Sequence, residues 1–386
     1  MGAAPWGGSE ELWAAGALAA RRSGWEVLVS VEKWPEMPPR IRQLQADRVH
    51  VIRRSKRLRS FRRLYQAVSR VRTPLAEVAG FRPDVLCLSQ GGTYDIAYDP
   101  VLWGVFDRLV LAQKSPLVVI CQYNEDSPPP EIVRQRTSRL FARAQVVVFV
   151  SNRNLHQAER HLARHLDNAV LLSNPVNLCD MSSVPWPDGE QSARMACVAR
   201  LDVRYKGQDL LFEALSSPTW EQRDWILSLY GAGHDEGYLR RLAGHFGIES
   251  RVVFHGHVVD IRSIWDVHHL LVLASRGEGT PLALIEAMLC GRPAVVTDVG
   301  GNADWIDDGV TGFIASASTV PAFSAALERA WGLRCRWPTM GKVAHEVAIS
   351  RFRDAGQALF EVLQRAMVPV PGHLATSSPT TLVSQR

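Results

Sequence analysis

At 386 residues, with 46% apolar and 22% charged residues, the chain has the length of two domains and enough apolar sequence for a sizeable core, which excludes disordered, collagen-like and coiled-coil proteins. Its formal charge of +5 is local in origin: residues 40–72 hold twelve Lys or Arg against one acid, Asp47, a net +11, so the rest of the chain carries −6. The six cysteines lack any Cys-x-x-Cys spacing and no apolar run reaches the roughly 20 residues of a membrane span, so a disulfide framework, a zinc site and a spanning helix are excluded and a cytoplasmic location is expected.

The chain opens on Pro5-Trp6-Gly7-Gly8-Ser9-Glu10-Glu11, a glycine loop in which Ser9 caps the helix that follows. Short runs rich in Val, Ile and Leu then alternate with helical stretches at 25–30, 84–88, 117–121, 145–150 and 169–172, and their unbroken apolarity predicts parallel strands covered on both faces. A second series follows at 195–199, 225–230, 251–255, 270–274, 293–297 and 311–314. Two βα series predict an α/β protein of two doubly wound domains, 1–174 and 194–335. A Pro-rich linker over 175–193 joins them, with closure expected about Asn174 to Pro187; helices over 336–366 and a disordered Pro/Ser/Thr-rich tail over 367–386 follow.

Ligands of open α/β sheets bind beyond the carboxyl ends of strands, which directs attention to three loops. Arg200-Leu201-Asp202-Val203-Arg204-Tyr205-Lys206-Gly207 puts cations at a strand end just before a helix, a field suited to a diphosphate or equally to a solvated basic loop. In Ser275-Arg276-Gly277-Glu278-Gly279-Thr280-Pro281-Leu282, Thr280 reads as an N-cap and Pro281 as the first helical residue, so Glu278 precedes the helix and Glu286 lies inside it beside the Leu282/Ile285/Leu289 core stripe. A carboxylate beside a packed face needs partners, and ligand hydroxyls qualify. Asp298-Val299-Gly300-Gly301-Asn302 lets backbone approach a phosphate or sugar, but paired glycines also make ordinary turns.

As an ordered set, the Arg200…Lys206-Gly207 loop, Glu278-x7-Glu286 and Gly300-Gly301-Asn302, together with Tyr230-Gly231-Ala232-Gly233, Phe254-His255-Gly256-His257 and Ser173-Asn174-Pro175-Val176, resemble the retaining glycosyltransferases of the GT-B fold, family 4, over residues 170–350. The resemblance implies two Rossmann-like domains facing across a cleft, with a nucleotide-diphosphate sugar as donor and a glycan, lipid-linked or phosphorylated acceptor. It further implies that Arg200 and Lys206 neutralise the diphosphate, Glu278 bonds sugar hydroxyls, Glu286 bonds the ribose, and backbone N–H groups over Gly279, Thr280, Pro281 and Leu282 add to phosphate binding. Gly8 and His257 are implied as further donor contacts, and neither a cofactor nor a metal is expected. On this reading Lys206→Ala and Glu286→Ala weaken donor binding and leave the fold largely intact.

Two departures qualify the resemblance. The family places a strand before the glycine loop, whereas only Met1–Ala4 precede Pro5 here, so either the true start lies upstream or the sheet lacks an interior strand. Where many members carry a His, this chain has Gln122-Tyr123-Asn124-Glu125-Asp126; Asn124 could donate to the donor sugar instead and Asp126 could orient an acceptor hydroxyl, or either could cap a turn before Pro128. Ser89-Gln90-Gly91-Gly92-Thr93 is a further acceptor-side candidate. A basic amphipathic helix is predicted from Leu58, Phe61, Leu64, Tyr65 and Val68, and three uses fit it: docking on anionic lipid as a peripheral protein, attraction of an acidic acceptor, or a solvated face. Nucleic acid is not expected as a partner, since no reader motif accompanies the charge. A non-catalytic sugar-nucleotide binding protein of the same fold is the rival to a transferase.

Overall fold

The computed structural model describes residues 6–54, 80–107, 114–187 and 192–368. The predicted basic helix and the tail from residue 369 lie outside them.

Twelve parallel strands form three sheets among the described residues. β1 (Leu28–Glu32) pairs with β2 (His50–Arg54), and β3 (Leu86–Gly92), β4 (Leu117–Tyr123), β5 (Val146–Phe149) and β6 (Ala169–Leu171) form a second sheet in sequence order. The carboxy-terminal sheet has the order β12-β11-β10-β7-β8-β9, with β7 at Ala193–Val198, β8 at Trp225–Tyr230, β9 at Val252–Gly256, β10 at Leu270–Leu273, β11 at Ala294–Thr297 and β12 at Gly312–Ala315. That is the Rossmann order, whose direction reverses between β7 and β10. The amino-terminal strands divide where the same order would set a strand between β1 and β3. Ser89–Gly92, expected as a loop, continues β3; Gln90 is buried and its side chain bonds Thr93 O and Ile96 N.

The apolar runs behave as parallel-sheet chemistry requires. β10 and β11 are buried throughout, and their half closes over Trp220, Trp225, Trp265 and Trp337, all fully buried. The last helix, Ala355–Met367, returns to the amino-terminal half: Leu359, Val362 and Leu363 pack with Leu12, Val118 and Val148, and the helix runs along Gly8–Arg22 with Gly16 under Leu359. The chain therefore crosses between halves twice, at 173–176 and at 352–354.

The stretch expected as a hinge is mostly fastened to one side. Arg292, 1% exposed, donates to the carbonyls of Val184, Pro185, Trp265, His268 and Cys290, and the Val184 N–H donates to Cys290 O. Arg262 adds bonds to Asp180 O and Ser182 O. With Gly291 O, six carbonyls satisfy a guanidinium that burial would otherwise penalise. Of the stretch from Asn174 to Pro187 expected as a hinge, residues 180–185 are thus bonded to the carboxy-terminal half.

Candidate functional site

The first two loops singled out in the sequence emerge from β7 and β10, on either side of the strand-order reversal, and are joined by backbone: Arg276 N–H and Gly277 N–H both donate to Tyr205 O, at 2.8 and 3.1 Å. This fixes the two residues that carry charge. Lys206 Nζ bonds both carboxylate oxygens of Glu278 at 2.8 Å, and Ser275 Oγ donates to Glu278 Oε1 at 2.6 Å. Glu278 is 9% exposed, so its carboxylate is solvated by protein donors. Sequence reasoning paired neither residue with the other, because they stand 72 positions apart.

The third loop supports the second. Gly300 has φ +52° and lies so close to Glu278 that a β-carbon would collide with its carbonyl, and Gly301 N–H donates to Gly279 O at 2.9 Å. Asn302 is buried and donates to Thr297 O at 2.8 Å, which leaves it a structural tie.

Thr280 does not cap the helix. The helix spans Leu282–Leu289 with Pro281 at the cap position, while Thr280 Oγ1 donates to Val150 O at 3.2 Å and accepts the Asn174 N–H at 3.0 Å. A long-range partner outcompeted the local cap, and the loop is thereby anchored to the end of β5 and to the first crossing. Pro281 has no N–H and that of Leu282 is bonded to Thr280 O, so the loop's available backbone donors are Gly279 and Thr280. Gly8 stands opposite, where a β-carbon would lie 3.0 Å from Leu282 Cδ1.

Glu286 is 3% exposed and accepts the Asn177 N–H on Oε1 at 2.9 Å. Burial pushes its carboxyl up to about 7, against the lowering effect of Asn177. Glu286 and Lys206 were both expected to be cleft residues dispensable to the fold; Glu286 instead fastens the first crossing, and Lys206 balances a buried carboxylate. Arg200 is exposed and pairs with buried Asp202 at 2.9 Å. His257 is exposed in the loop after β9 and does not line the cleft described next.

That cleft lies between the halves. Its carboxy-terminal wall is Arg276, Gly277, Glu278, Val299 and Gly300, and its amino-terminal wall is Tyr123, Asn124, Asp126, Arg153, Asn154 and Gln157. Asn124 Nδ2 donates to Asn154 O at 2.6 Å, which fixes the amide and leaves Oδ1, an acceptor, without a partner. One of its two amide hydrogens is thereby spent, and the second is the one left for the expected bond to a donor sugar. Across the seam Arg153 meets Asp298 at 3.2 Å, and Asn152 meets Asp304 through its backbone N–H and its amide. Among the described residues, the side chains grouped as a metal could require are Asp202, His234 and Asp235. Asp202 is paired with Arg200, and Asp235 accepts the Val203 N–H.

Residues 192–332 match the family described as glycosyl transferases group 1. The chain is 27% identical over 255 residues to a GDP-mannose-dependent alpha-(1-6)-phosphatidylinositol monomannoside mannosyltransferase of Mycolicibacterium smegmatis, covering 60% of this chain and 65% of that one. It is 29% identical over 205 residues to the lipopolysaccharide 1,6-galactosyltransferase of Salmonella typhimurium, covering 50% and 55%. The chain thus spans less than two thirds of either relative. Its fold superposes on Anabaena HepE, solved in complex with UDP, with a TM-score of 0.71 at 18% identity over 95% of this chain and 98% of that one.

Proposed function

We propose, from the match of residues 192–332 to the glycosyl transferases group 1 family and from the GT-B fold, that the chain is a retaining, metal-independent glycosyltransferase moving a sugar from a nucleotide-diphosphate sugar to an acceptor hydroxyl. The observation that carries the reading is the Lys206–Glu278 pair, set at the strand-order reversal, with Glu278 lining the cleft between the halves.

The pair holds in reserve what a donor needs. A diphosphate takes Lys206 and a sugar hydroxyl takes Glu278, so one charge-assisted contact is exchanged for two. Charge growing on the leaving diphosphate meets Lys206, Arg200 and the Gly279 and Thr280 N–H groups, already in place before reaction. These groups supply the neutralisation that a metal provides elsewhere, and front-face attack assisted by the leaving phosphate needs no protein nucleophile.

The acceptor is a glycan or a glycolipid sugar. The Mycolicibacterium relative is named for a phosphatidylinositol monomannoside and the Salmonella relative for lipopolysaccharide, both lipid-borne saccharides. No helix among the described residues is long and apolar enough to cross a membrane. Gln122-Tyr123-Asn124, standing where many members of the resembled family carry a His, favours the second reading, a sugar-nucleotide binding protein without turnover.

The test is a screen of UDP- and GDP-sugars for thermal stabilisation and for release of the nucleoside diphosphate. Stabilisation of about 2.7 kcal/mol at 100 times the dissociation constant, accompanied by release, supports the transferase. Stabilisation without release, with or without sugar acceptors, supports the binding protein.

A further inference from the structure

We propose that Asp126 positions the acceptor, and that the acceptor presents uncharged sugar hydroxyls, not a phosphate, to the amino-terminal wall of the cleft; the inference rests on the glycosyltransferase reading above.

With the donor on the Glu278 side, the facing wall is left to the acceptor. Asp126 stands on that wall, three residues past the end of β4, and it is held at two points. Gln157 Nε2 donates to its carboxylate Oδ1 at 2.6 Å, and His161 Nε2 lies 3.2 Å from its main-chain carbonyl. A carbonyl only accepts, so His161 carries its hydrogen on Nε2, and Nδ1 accepts the Tyr94 hydroxyl at 3.0 Å. Burial lowers the His161 pKa, which suits this neutral tautomer. Gln157 and His161 are one turn apart on the Asn152–Leu162 helix, both nearly buried, so a single helix face grips the backbone and the side chain of one exposed residue. The carboxylate's second oxygen is left oriented and able to accept from a ligand.

The charges around it select the ligand. Arg153 is spent on Asp298 at 3.2 Å, Arg276 on Asp209 at 2.6 and 2.8 Å, and Lys206 on Glu278. A phosphate on this wall would meet the Asp126 carboxylate, Glu125 next to it being paired with Arg204 at 3.8 Å, and would have to uncouple an existing ion pair to gain a cation. Sugar hydroxyls face no such penalty. They donate to Asp126, and charge-assisted bonds of this kind are the strong ones.

The experiment uses the full chain with whichever of UDP-glucose or GDP-mannose it turns over, and methyl α-glucoside, methyl α-mannoside and glucose 6-phosphate as acceptor probes. The methyl glycosides are expected to accelerate release of the nucleoside diphosphate and the sugar phosphate to do so at least tenfold less well. Asp126→Asn is expected to raise the KM for the glycoside at least tenfold with a smaller change in kcat, and Gln157→Leu to raise it part of the way. A glycoside KM within twofold of wild type in Asp126→Asn, or faster transfer to glucose 6-phosphate than to the glycosides, overturns the proposal. Failure of the wild-type chain to bind either nucleotide is a different result, and it overturns the glycosyltransferase reading itself.

Discussion

The two halves share a chain direction and a strand arrangement, yet they are built to different tolerances. In the carboxy-terminal half every residue of β10 and β11 is buried, and β4 of the amino-terminal half matches them from Leu117 to Gln122, whereas in the outlying pair of that half all five residues of β1 are only partly buried and β2 is exposed at His50 and Arg53. Among the described residues, the half that holds Lys206 and Glu278 is a continuous six-stranded sheet and the half that offers Asp126 is divided in two. Donor recognition needs fixed charges at short distances, which a rigid sheet supplies.

The largest expected effect tests that contrast directly. Leu271→Ala, in the middle of the carboxy-terminal sheet and 0% exposed, is expected to cost about 2–5 kcal/mol in chemical denaturation. Val51→Ala in β2, partly buried, is expected to cost about 1 kcal/mol or less. Equal costs would mean that the two halves are equally well packed in solution.

Next in size is a pH effect confined to the carboxy-terminal half. Burial raises Glu286 from 4.5 to about 7, so its contribution to stability is complete below the ordinary carboxyl range and is lost as pH climbs through about 7. His268 and His269 act in the opposite sense: burial lowers both from 6.5 to about 4, and their contribution is complete above the ordinary imidazole range and lost as pH falls through about 4. Glu286→Gln keeps an acceptor for the Asn177 N–H and removes the ionisation. Between pH 5 and 8 the wild-type chain should therefore lose stability relative to this variant by something on the order of 3 kcal/mol, read from denaturant midpoints. Parallel curves would show that Glu286 is solvated.

These particulars also show what the sequence could say. Eleven of the twelve strands announce themselves as apolar runs; the exception is β2, where His50, Arg53 and Arg54 surround only Val51 and Ile52 and so pass for part of the basic stretch. Edge position explains the composition, since a half-exposed strand tolerates charge on its outward side. At the site, the Glu278-x7-Glu286 spacing and the cationic loop were legible because they are local. Their partners were not, since Glu286 answers to Asn177 from 109 positions away and Lys206 to Glu278 from 72. The Thr280 cap was misread for the same reason, and the engaged amide of Asn124 has no local signature either.

A smaller effect asks how the donor side is held when empty. Lys206→Ala strands Glu278 with Ser275 as its remaining side-chain donor and is expected to cost about 1–3 kcal/mol of stability. Adding Glu278→Gln to Lys206→Ala should recover most of that loss without restoring nucleotide affinity. Thermal unfolding and nucleotide titration together separate the two roles; additive losses would show that the pair contributes nothing as a pair.

The smallest effect concerns the seam. Thr280 Oγ1 donates to Val150 O in the amino-terminal half and accepts the N–H of Asn174 in the crossing, so one hydroxyl joins both halves to the donor loop. Thr280→Val keeps the shape and removes both bonds, at an expected cost of about 1 kcal/mol. The consequence of interest is where that cost falls. If the seam couples a well-packed half to a loosely packed one, weakening it should separate their unfolding, with the amino-terminal transition moving down and the carboxy-terminal one staying in place. Calorimetry reads this as a broadened or split endotherm. A single endotherm displaced as a whole would instead assign the coupling to the remaining contacts, among them Asn152 with Asp304, Arg153 with Asp298 and the packing of the last helix against Gly8–Arg22.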